Sequence, residues 1–323
     1  MRRLCGFLFL IATLPWLQQA PLAAQNYPAK PIRVIATSSA GGISDIFIRI
    51  VGDELQKRWG QPLVVENRPG GQFNIGARAC ADAVPDGYTV CIMPTDVLQY
   101  NRFQFKNLSY DLFKDLEPIS VLFYITQGLV VSSSLNVTTL EQLAAYSKTH
   151  PNMLSYTAAA VPHQLFIESF KQETGADIVR VPFRGGGEAV TGLLTGTTQV
   201  AFFGIGNFIP HLQAGTIKGI AVDAAKRTPL FPNIPTLKEV RPNAELTRAD
   251  FSLWAPKGMP KELVKKVRDE FARIGGDPAF ADKHLIQRGL DPVFSTPEQF
   301  AQYLETQRAE VERTAKKAGL QPQ

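Results

Sequence analysis

Two spacings of apolar residues alternate along this chain, and each change of spacing predicts a new element. Ile32 to Ala36 is rich in β-branched residues, which is typical of a strand. From Ile43 to Leu55 the apolar residues recur every three or four positions, which predicts a helix that Gly60 ends. The same signals predict strands at Leu63–Val65 and Tyr88–Met93, and a helix at Asn74–Val84. This alternation predicts a parallel α/β sheet.

A second run of the same kind follows. Its strands are predicted at Leu129–Val131, Leu154–Thr157, Ile178–Val181, Val200–Phe203 and Gly219–Val222, and its helices at Thr139–Thr149, Gln164–Thr174, Glu188–Leu194 and Phe208–Gln213. Four prolines from Thr228 to Pro242 predict an irregular connector, and two helices are predicted beyond it, at Lys261–Arg273 and Thr296–Lys317. Ligands of open α/β sheets bind at the carboxyl ends of strands, so two units that face each other predict a ligand cleft.

The first 24 residues differ from the rest of the chain. A basic start, Met1-Arg2-Arg3, precedes an almost entirely apolar run from Leu4 to Leu17, and small residues lead up to Ala24. This pattern predicts a secretory signal peptide, residues 1–24, and therefore a periplasmic protein. The alternative is a membrane anchor, but the apolar run falls short of the roughly 20 residues that a membrane span needs.

Charge and composition narrow the choice of partner. The whole chain carries a formal net charge of +5. Removal of the signal peptide leaves 32 basic and 29 acidic residues, a net charge of +3, and the sequence has no block of lysine and arginine. Nucleic acid is therefore a poor candidate partner, whereas a weak positive field suits an anionic ligand.

The loop after the first strand is the first candidate site. It reads Ser38-Ser39-Ala40-Gly41-Gly42-Ile43-Ser44-Asp45 and joins the strand directly to a helix. Small residues let backbone N–H groups approach an anion, and the first turn of a helix adds unpaired donors and the positive end of the dipole. The hydroxyls of Ser38, Ser39 and Ser44 are further donors, and Asp45 suits a helix start. An ordinary strand–helix turn is the alternative.

Motifs for catalysis and for cofactors are missing. No lysine follows Gly41-Gly42 as it does in a Walker A loop, and Gly42-Ile43-Ser44-Asp45-Ile46 lacks the second glycine of a nucleophile elbow. The four histidines are scattered and show no metal-ligand spacing. We therefore predict no enzymatic activity, no cofactor and no metal site. A secreted hydrolase that uses Ser44 and His163 is a rival hypothesis.

Two cysteines remain after removal of the signal peptide, and the periplasm permits a disulfide between them. Cys80 lies in a helical pattern and Cys91 in the next predicted strand. Whether they are bridged depends on a geometry that the sequence does not give, so the bonded and free states both stay open.

Several segments of the sequence resemble the Bug/TctC family, the periplasmic solute-binding proteins of tripartite tricarboxylate transporters. They include "GQPLVVENRPGG", "PDGYTV", "VPFRGGGEAVTGLLTGTTQVAF", "AAKRTPLFPNIPTLKEV" and "APKGMPKELV", and the match runs from about Tyr27 to the C-terminus. The resemblance implies a type II periplasmic-binding-protein fold, with two α/β domains, a hinge and a central cleft. Domain 1 would comprise 27–128 plus 250–323, and domain 2 would comprise 129–249. A monomer that delivers its ligand to membrane subunits of the transporter is implied.

The resemblance also implies where the ligand binds. Two strand–helix loops, one per domain, grip a carboxylate through backbone donors in this family. The first loop corresponds to Ser38, Ser39, Ala40, Gly41, Gly42, Ser44 and Asp45, and the second to Ala158, Ala159, Ala160 and His163. Thr95, Asp96 and Arg184 stand at further predicted strand ends and are candidates for contact with a distal carboxylate.

One departure from the family pattern bears on the choice of ligand. Where family members often have Phe-Asp-Asn, this chain has Phe202-Phe203-Gly204. Phe203 cannot pair with a ligand amine, so the sequence favours an aromatic mono- or dicarboxylate such as benzoate, phthalate or terephthalate, with Phe203 and Gly204 in the wall. Core packing is the alternative for Phe203. An aliphatic di- or tricarboxylate, or a periplasmic sensor function, are the alternatives for the protein.

Overall fold

The structure is a computed structural model, which describes residues 26–158, 160–183, 186–244 and 249–322. The predicted signal peptide, residues 1–24, lies outside these ranges, as do Ala159 and Arg184. In the described ranges, no helix is both long and apolar enough to cross a bilayer.

Two β-sheets organise the chain. Their strands are Ile32–Ala36 (β1), Leu63–Asn67 (β2), Thr89–Met93 (β3), Leu116–Ile125 (β4), Gln127–Ser132 (β5), Leu154–Ala158 (β6), Ile178–Arg180 (β7), Val200–Gly204 (β8), Ile217–Asp223 (β9), Asp250–Pro256 (β10) and Leu290–Pro292 (β11). The first sheet has the order β11-β4-β10-β3-β1-β2, and the second has the order β7-β6-β8-β5-β9. We call the halves built on these sheets domain 1 and domain 2.

Helices cover both sheets. They are Ile43–Trp59 (α1), Asn74–Ala81 (α2), Thr95–Asn101 (α3), Leu140–Thr149 (α4), Val161–Thr174 (α5), Gly186–Thr195 (α6), Ile209–Gln213 (α7), Leu237–Val240 (α8), Lys261–Gly275 (α9), Pro278–His284 (α10) and Pro297–Lys317 (α11). Separate hydrophobic clusters fill the two faces of each sheet, so each domain has its own core.

The predicted parallel strand pairs are present, but antiparallel strands join them, so both sheets are mixed. β1 pairs in parallel with β2 and β3, and β6 pairs in parallel with β7 and β8. By contrast, β5 runs antiparallel to β8, and β10 runs antiparallel to β3. These two strands follow segments that come from the other domain. They therefore start at the edge where the parallel strands end and run in the opposite direction.

Other differences concern single elements. The sequence reading missed β4, β10, β11, α3 and α10. It also began the helix after β6 at Gln164, whereas α5 begins at Val161 with Pro162 in its first turn, where proline is tolerated. The segment predicted as an irregular connector contains α8, which Thr236 and Glu239 start with a capping box.

Cys80 and Cys91 form a disulfide in this structure. It joins α2 to β3, with the two Cα atoms 6.1 Å apart. Both residues are buried in the cluster between the first sheet and α11. The sequence left the bonded and free states open, and the structure shows the bonded state.

Candidate functional site

The side chain of Asp45 holds the first loop in place, and its hydrogen bonds are made to the protein rather than to a ligand. Asp45 lies in the first turn of α1 and is buried. Its Oδ2 accepts the Gly41 N–H at 2.8 Å, and its Oδ1 accepts Arg49 Nε at 3.0 Å and Asn67 Nδ2 at 2.9 Å. Burial acts to raise the pKa of Asp45, but these three donors outweigh burial and hold the pKa below its ordinary value. Asp45 is therefore a brace that fixes the loop.

Asn67 completes this brace and was not predicted as a site residue. It ends β2 in register with Ala36, the last residue of β1. Besides Asp45, its Nδ2 donates to the Ser38 carbonyl oxygen at 3.0 Å. One amide side chain therefore holds the start of the loop and its acid together.

The hydroxyls of the first loop have different roles. Ser38 Oγ and Ser44 Oγ are hydrogen-bonded to each other at 2.6 Å, and Ser44 is buried. Ser39, Ala40 and Gly41 are exposed at the tip of the loop. A hydrolase that uses Ser44 gains no support here, because the hydroxyl is paired with Ser38, and His163 faces Asp223 instead.

Helices α1 and α5 begin in the same way, one in each domain. Gly42 is the N-cap of α1 and Ala160 is the N-cap of α5, and neither helix has a side-chain cap. Each follows the carboxyl end of a parallel strand, β1 or β6. Without a capping side chain, the backbone donors of a first turn stay available to an anion. Gly41, with φ +81°, gives the first loop a left-handed turn that an L side chain rarely adopts.

Thr95 is placed as a support for Asp250, the first residue of β10. Its N–H donates to Asp250 Oδ1 at 2.8 Å, and its hydroxyl donates to Ser252 Oγ at 2.9 Å. Asp96 follows in the first turn of α3 and is buried. Burial raises the pKa of Asp96, and attraction to His163 opposes this rise. Asp96 of domain 1 thus interacts with an imidazole of domain 2.

Asp250 gives stability a dependence on pH. Burial, followed by repulsion from Asp96, raises its pKa to about 8. The folded protein therefore keeps a proton that the unfolded chain releases near pH 4. The contribution of Asp250 to the free energy of unfolding is therefore greatest below about pH 4. It falls as the pH rises from 4 to 8, by at most about 1.4 kcal/mol per pH unit.

We expect the Asp250→Asn variant to show a flatter fall of stability between pH 5 and pH 8 than the parent. Asparagine keeps an acceptor for the Thr95 N–H and carries no titrating proton. Urea unfolding at several pH values measures the slope. Asp53→Asn, on the exposed side of α1, is the matched control and should keep the parental slope. An equal slope in Asp250→Asn and the parent would contradict the assignment.

His163 is the predicted site residue with the most informative surroundings. It lies in the first turn of α5, with its ring centroid 4.3 Å from that of Phe202. Its Nε2 lies 3.4 Å from Asp223 Oδ2, and both side chains are buried. Asp223 ends β9 and was not predicted, although a polar residue at the end of an apolar strand is a usable signal.

Phe203 lies in the core of domain 2. It is 6% exposed and packs in one cluster with Val130, Ala189, Leu193 and Phe208. Core packing, the alternative left open by the sequence, accounts for these contacts. Gly204 ends β8 opposite Gln127, the first residue of β5. Ala158 ends β6.

An apolar groove of about 350 Å³ lies between the start of α1 and domain 2. Ile43, Ile46, Phe47 and Ile50 line its domain 1 side, and Gly206, Asn207, Ile209 and Pro210 line the side of domain 2. Its α1 side begins at Ile43, within the first loop. The groove therefore offers apolar surface next to the candidate anion donors.

Two α/β domains, each with a strand-end loop and an uncapped helix start, match the architecture of a two-domain solute-binding protein, a class that binds ligands and carries out no reaction. The family follows from comparison. The model of the tripartite tricarboxylate transporter family receptor, TctC, matches residues 47–320. The chain belongs to this family, as its sequence motifs indicated.

Individual relatives agree with this assignment. Protein BugT of Bordetella pertussis is 30% identical over 87% of this chain and 86% of its own length. The R. palustris protein Rpa4515, solved with adipate, is 30% identical, covers 92% of this chain and 100% of its own, and superposes with a TM-score of 0.80. MatC from Rhodopseudomonas palustris, with bound malate, is 25% identical over 90% of this chain and 100% of its own, with a TM-score of 0.73.

Proposed function

We propose that this protein captures a small organic carboxylate in the cleft between its domains and presents it to the membrane subunits of a tripartite tricarboxylate transporter. The observation that carries the proposal is the pair of uncapped helix starts, α1 in domain 1 and α5 in domain 2. Carboxylates bound to Rpa4515 and MatC support it. In this proposal, residues 1–24 are the export signal, and the domain limits are those predicted, 27–128 with 250–323 and 129–249, moved at the first crossing so that Gln127 and Gly128 of β5 belong to domain 2.

The finer part of the proposal concerns the body of the ligand. Phe203 no longer supports an aromatic ligand, because its ring is packed in the core. The apolar groove beside the first loop supports a ligand with an apolar body, which includes the benzoate and terephthalate class. Calorimetric titration with terephthalate, benzoate, citrate, glutamate and adipate separates the candidates. Tight binding of citrate without any response to the aromatic acids would remove the aromatic part.

We expect Ser39→Trp to abolish binding of whichever carboxylate the titration identifies, while the fold survives. Ser39 is exposed at the tip of the first loop, so an indole there fills the space in front of the backbone donors without entering the core. The loss is measured by calorimetry, and the fold by thermal unfolding. Ser109→Trp, also at an exposed serine, is the control and should bind as the parent does. Parental affinity in Ser39→Trp would show that the loop is only a turn.

A further inference from the structure

Three polar side chains lie together at the edge of the second sheet that faces domain 1. Gln127 begins β5 and Asp223 ends β9, and the two residues are directly opposite each other in the antiparallel register. Direct opposition places both side chains on the same face of the sheet. His163 covers that face, with its Nε2 3.4 Å from Asp223 Oδ2. Since His163 is in the first turn of α5, this cluster lies within one helical turn of the second loop.

The cluster contains buried polar atoms that lack partners. Among the described residues, Gln127 Oε1 and His163 Nδ1 meet no hydrogen-bond partner, and His163 Nε2 faces Asp223 Oδ2 at 3.4 Å without hydrogen-bond geometry. Yet Gln127 is 4% exposed and His163 is 2% exposed. Native proteins leave few buried polar atoms unpaired, and each such atom calls for an explanation. Two residues with this property at one edge of a ligand cleft indicate a polar ligand group between them.

The charge of the surroundings indicates what that group is. Domain 1 contributes Asp96, which is buried and interacts electrostatically with His163. Gln99, three residues after Asp96 on α3, brings another buried side-chain oxygen without a partner among the described residues. The acids nearest to His163 are therefore Asp223 of domain 2 and Asp96 of domain 1. A second carboxylate would meet repulsion, whereas a cationic donor would be attracted.

We propose that Gln127, His163 and Asp223, with Asp96 opposite, form the subsite for the end of the ligand remote from its carboxylate, and that this subsite selects a protonated amine. The inference rests on the proposed capture of a carboxylate by the two loops and names the ligand class as amino carboxylates. Asp223 supplies the acid at the end of β9, on the sheet face opposite to the one that Phe203 occupies. The absence of an acid at position 203 is therefore no argument against an amine.

Matched ligands test the proposal. One series is 4-methylbenzoate, terephthalate and 4-(aminomethyl)benzoate, and the other is pentanoate, glutarate and 4-aminobutyrate. Within each series the carboxylate and the body are shared, and the distal group is neutral, anionic or cationic. In the series that binds, we expect the amine to bind about tenfold or more tightly than the dicarboxylate, a difference typical of a buried charge pair. Tighter binding of the dicarboxylate would overturn the proposal.

Two variants assign the selectivity to the cluster. Asp223→Asn should lower the ratio of amine affinity to neutral-ligand affinity by about tenfold. Gln127→Met, which keeps the length of the side chain and removes the acceptor, should lower the same ratio by a smaller factor and serves if Asp223→Asn does not fold. An unchanged ratio in a folded variant overturns the inference.

The same titrations, with benzylamine added as an amine without a carboxylate, separate this inference from the proposed function. If the neutral acids bind and the amines have no advantage, the inference fails and carboxylate capture stands. Equal binding of benzylamine and 4-(aminomethyl)benzoate would overturn carboxylate capture, because the carboxylate would then contribute nothing. Silence from every member of both series would overturn both.

Discussion

The Asp45→Ala variant is expected to lose carboxylate affinity by about a hundredfold and to be less stable by about 2–4 kcal/mol. Asp45 is buried and accepts hydrogen bonds from the Gly41 N–H, Arg49 and Asn67. Bonds to a charged group are worth about 1.5–3 kcal/mol each, and they are not additive because all three share one carboxylate. Alanine releases the loop that carries the backbone donors, so their orientation is lost.

Calorimetry with the tightest ligand of the panel measures the affinity, and urea unfolding measures the stability. Asp45→Asn is the graded variant, because an amide keeps one acceptor oxygen and loses the charge that pairs with Arg49. Its affinity for the ligand and its free energy of unfolding should both lie between those of the parent and those of Asp45→Ala. Asp53→Ala, on the exposed side of the same helix, controls for the loss of an acid from α1. A destabilised Asp45→Ala that binds with parental affinity would show that the loop needs no brace.

The first loop shows what the sequence predicts well. The change from strand to helix spacing, with glycines at both ends of the helix, predicted α1 and its start at Ile43. Both signals are local, so no tertiary contact was needed to read them. Asn67 lies within one of the family motifs, but its contact with the first loop depends on the register between β1 and β2, which pairs it with Ala36. No local pattern gives that register.

The buried polar cluster shows what the sequence does not give. Gln127 and Asp250 are first residues of strands that follow a crossing between domains, and Asp223 is the last residue of a strand before the chain leaves domain 2. Gln127 and Asp250 meet the cleft because β5 and β10 run antiparallel to their neighbours, whereas Asp223 meets it at the carboxyl end of β9. β4 and β10 were missed because they are largely buried on both faces and mix polar residues and proline with apolar ones, so neither shows a regular alternation over its whole length.

The second large effect is expected at the contact between the domains, where Gly206→Ala should weaken ligand binding by about tenfold or more. Gly206 follows β8 in domain 2, and a Cβ built on it would lie 2.5 Å from the Arg288 carbonyl oxygen of domain 1. That oxygen belongs to the backbone and has no side-chain freedom with which to yield. Thr126, in the segment between β4 and β5, bonds to both sides: its N–H donates to the Gly289 carbonyl at 3.0 Å, and its carbonyl accepts the Ile205 N–H at 2.8 Å.

A methyl group at position 206 therefore forces this contact apart. Overpacking of this kind typically costs about 1–3 kcal/mol, and the strain falls on the arrangement in which the two domains touch. If ligand binds to that arrangement, its apparent affinity falls with the fraction of molecules that adopt it. A cost of about 1.4 kcal/mol corresponds to the tenfold loss.

Small-angle scattering with and without ligand measures the arrangement of the domains, and calorimetry measures the affinity. In the parent, saturating ligand should give one compact profile, whereas Gly206→Ala should keep a more extended profile at the same ligand concentration. Gly187→Ala is the matched control, since a Cβ there meets nothing within 4 Å and its φ lies outside the left-handed region. Parental scattering and affinity in Gly206→Ala would mean that the contact between Gly206 and Arg288 takes no part in closure of the cleft.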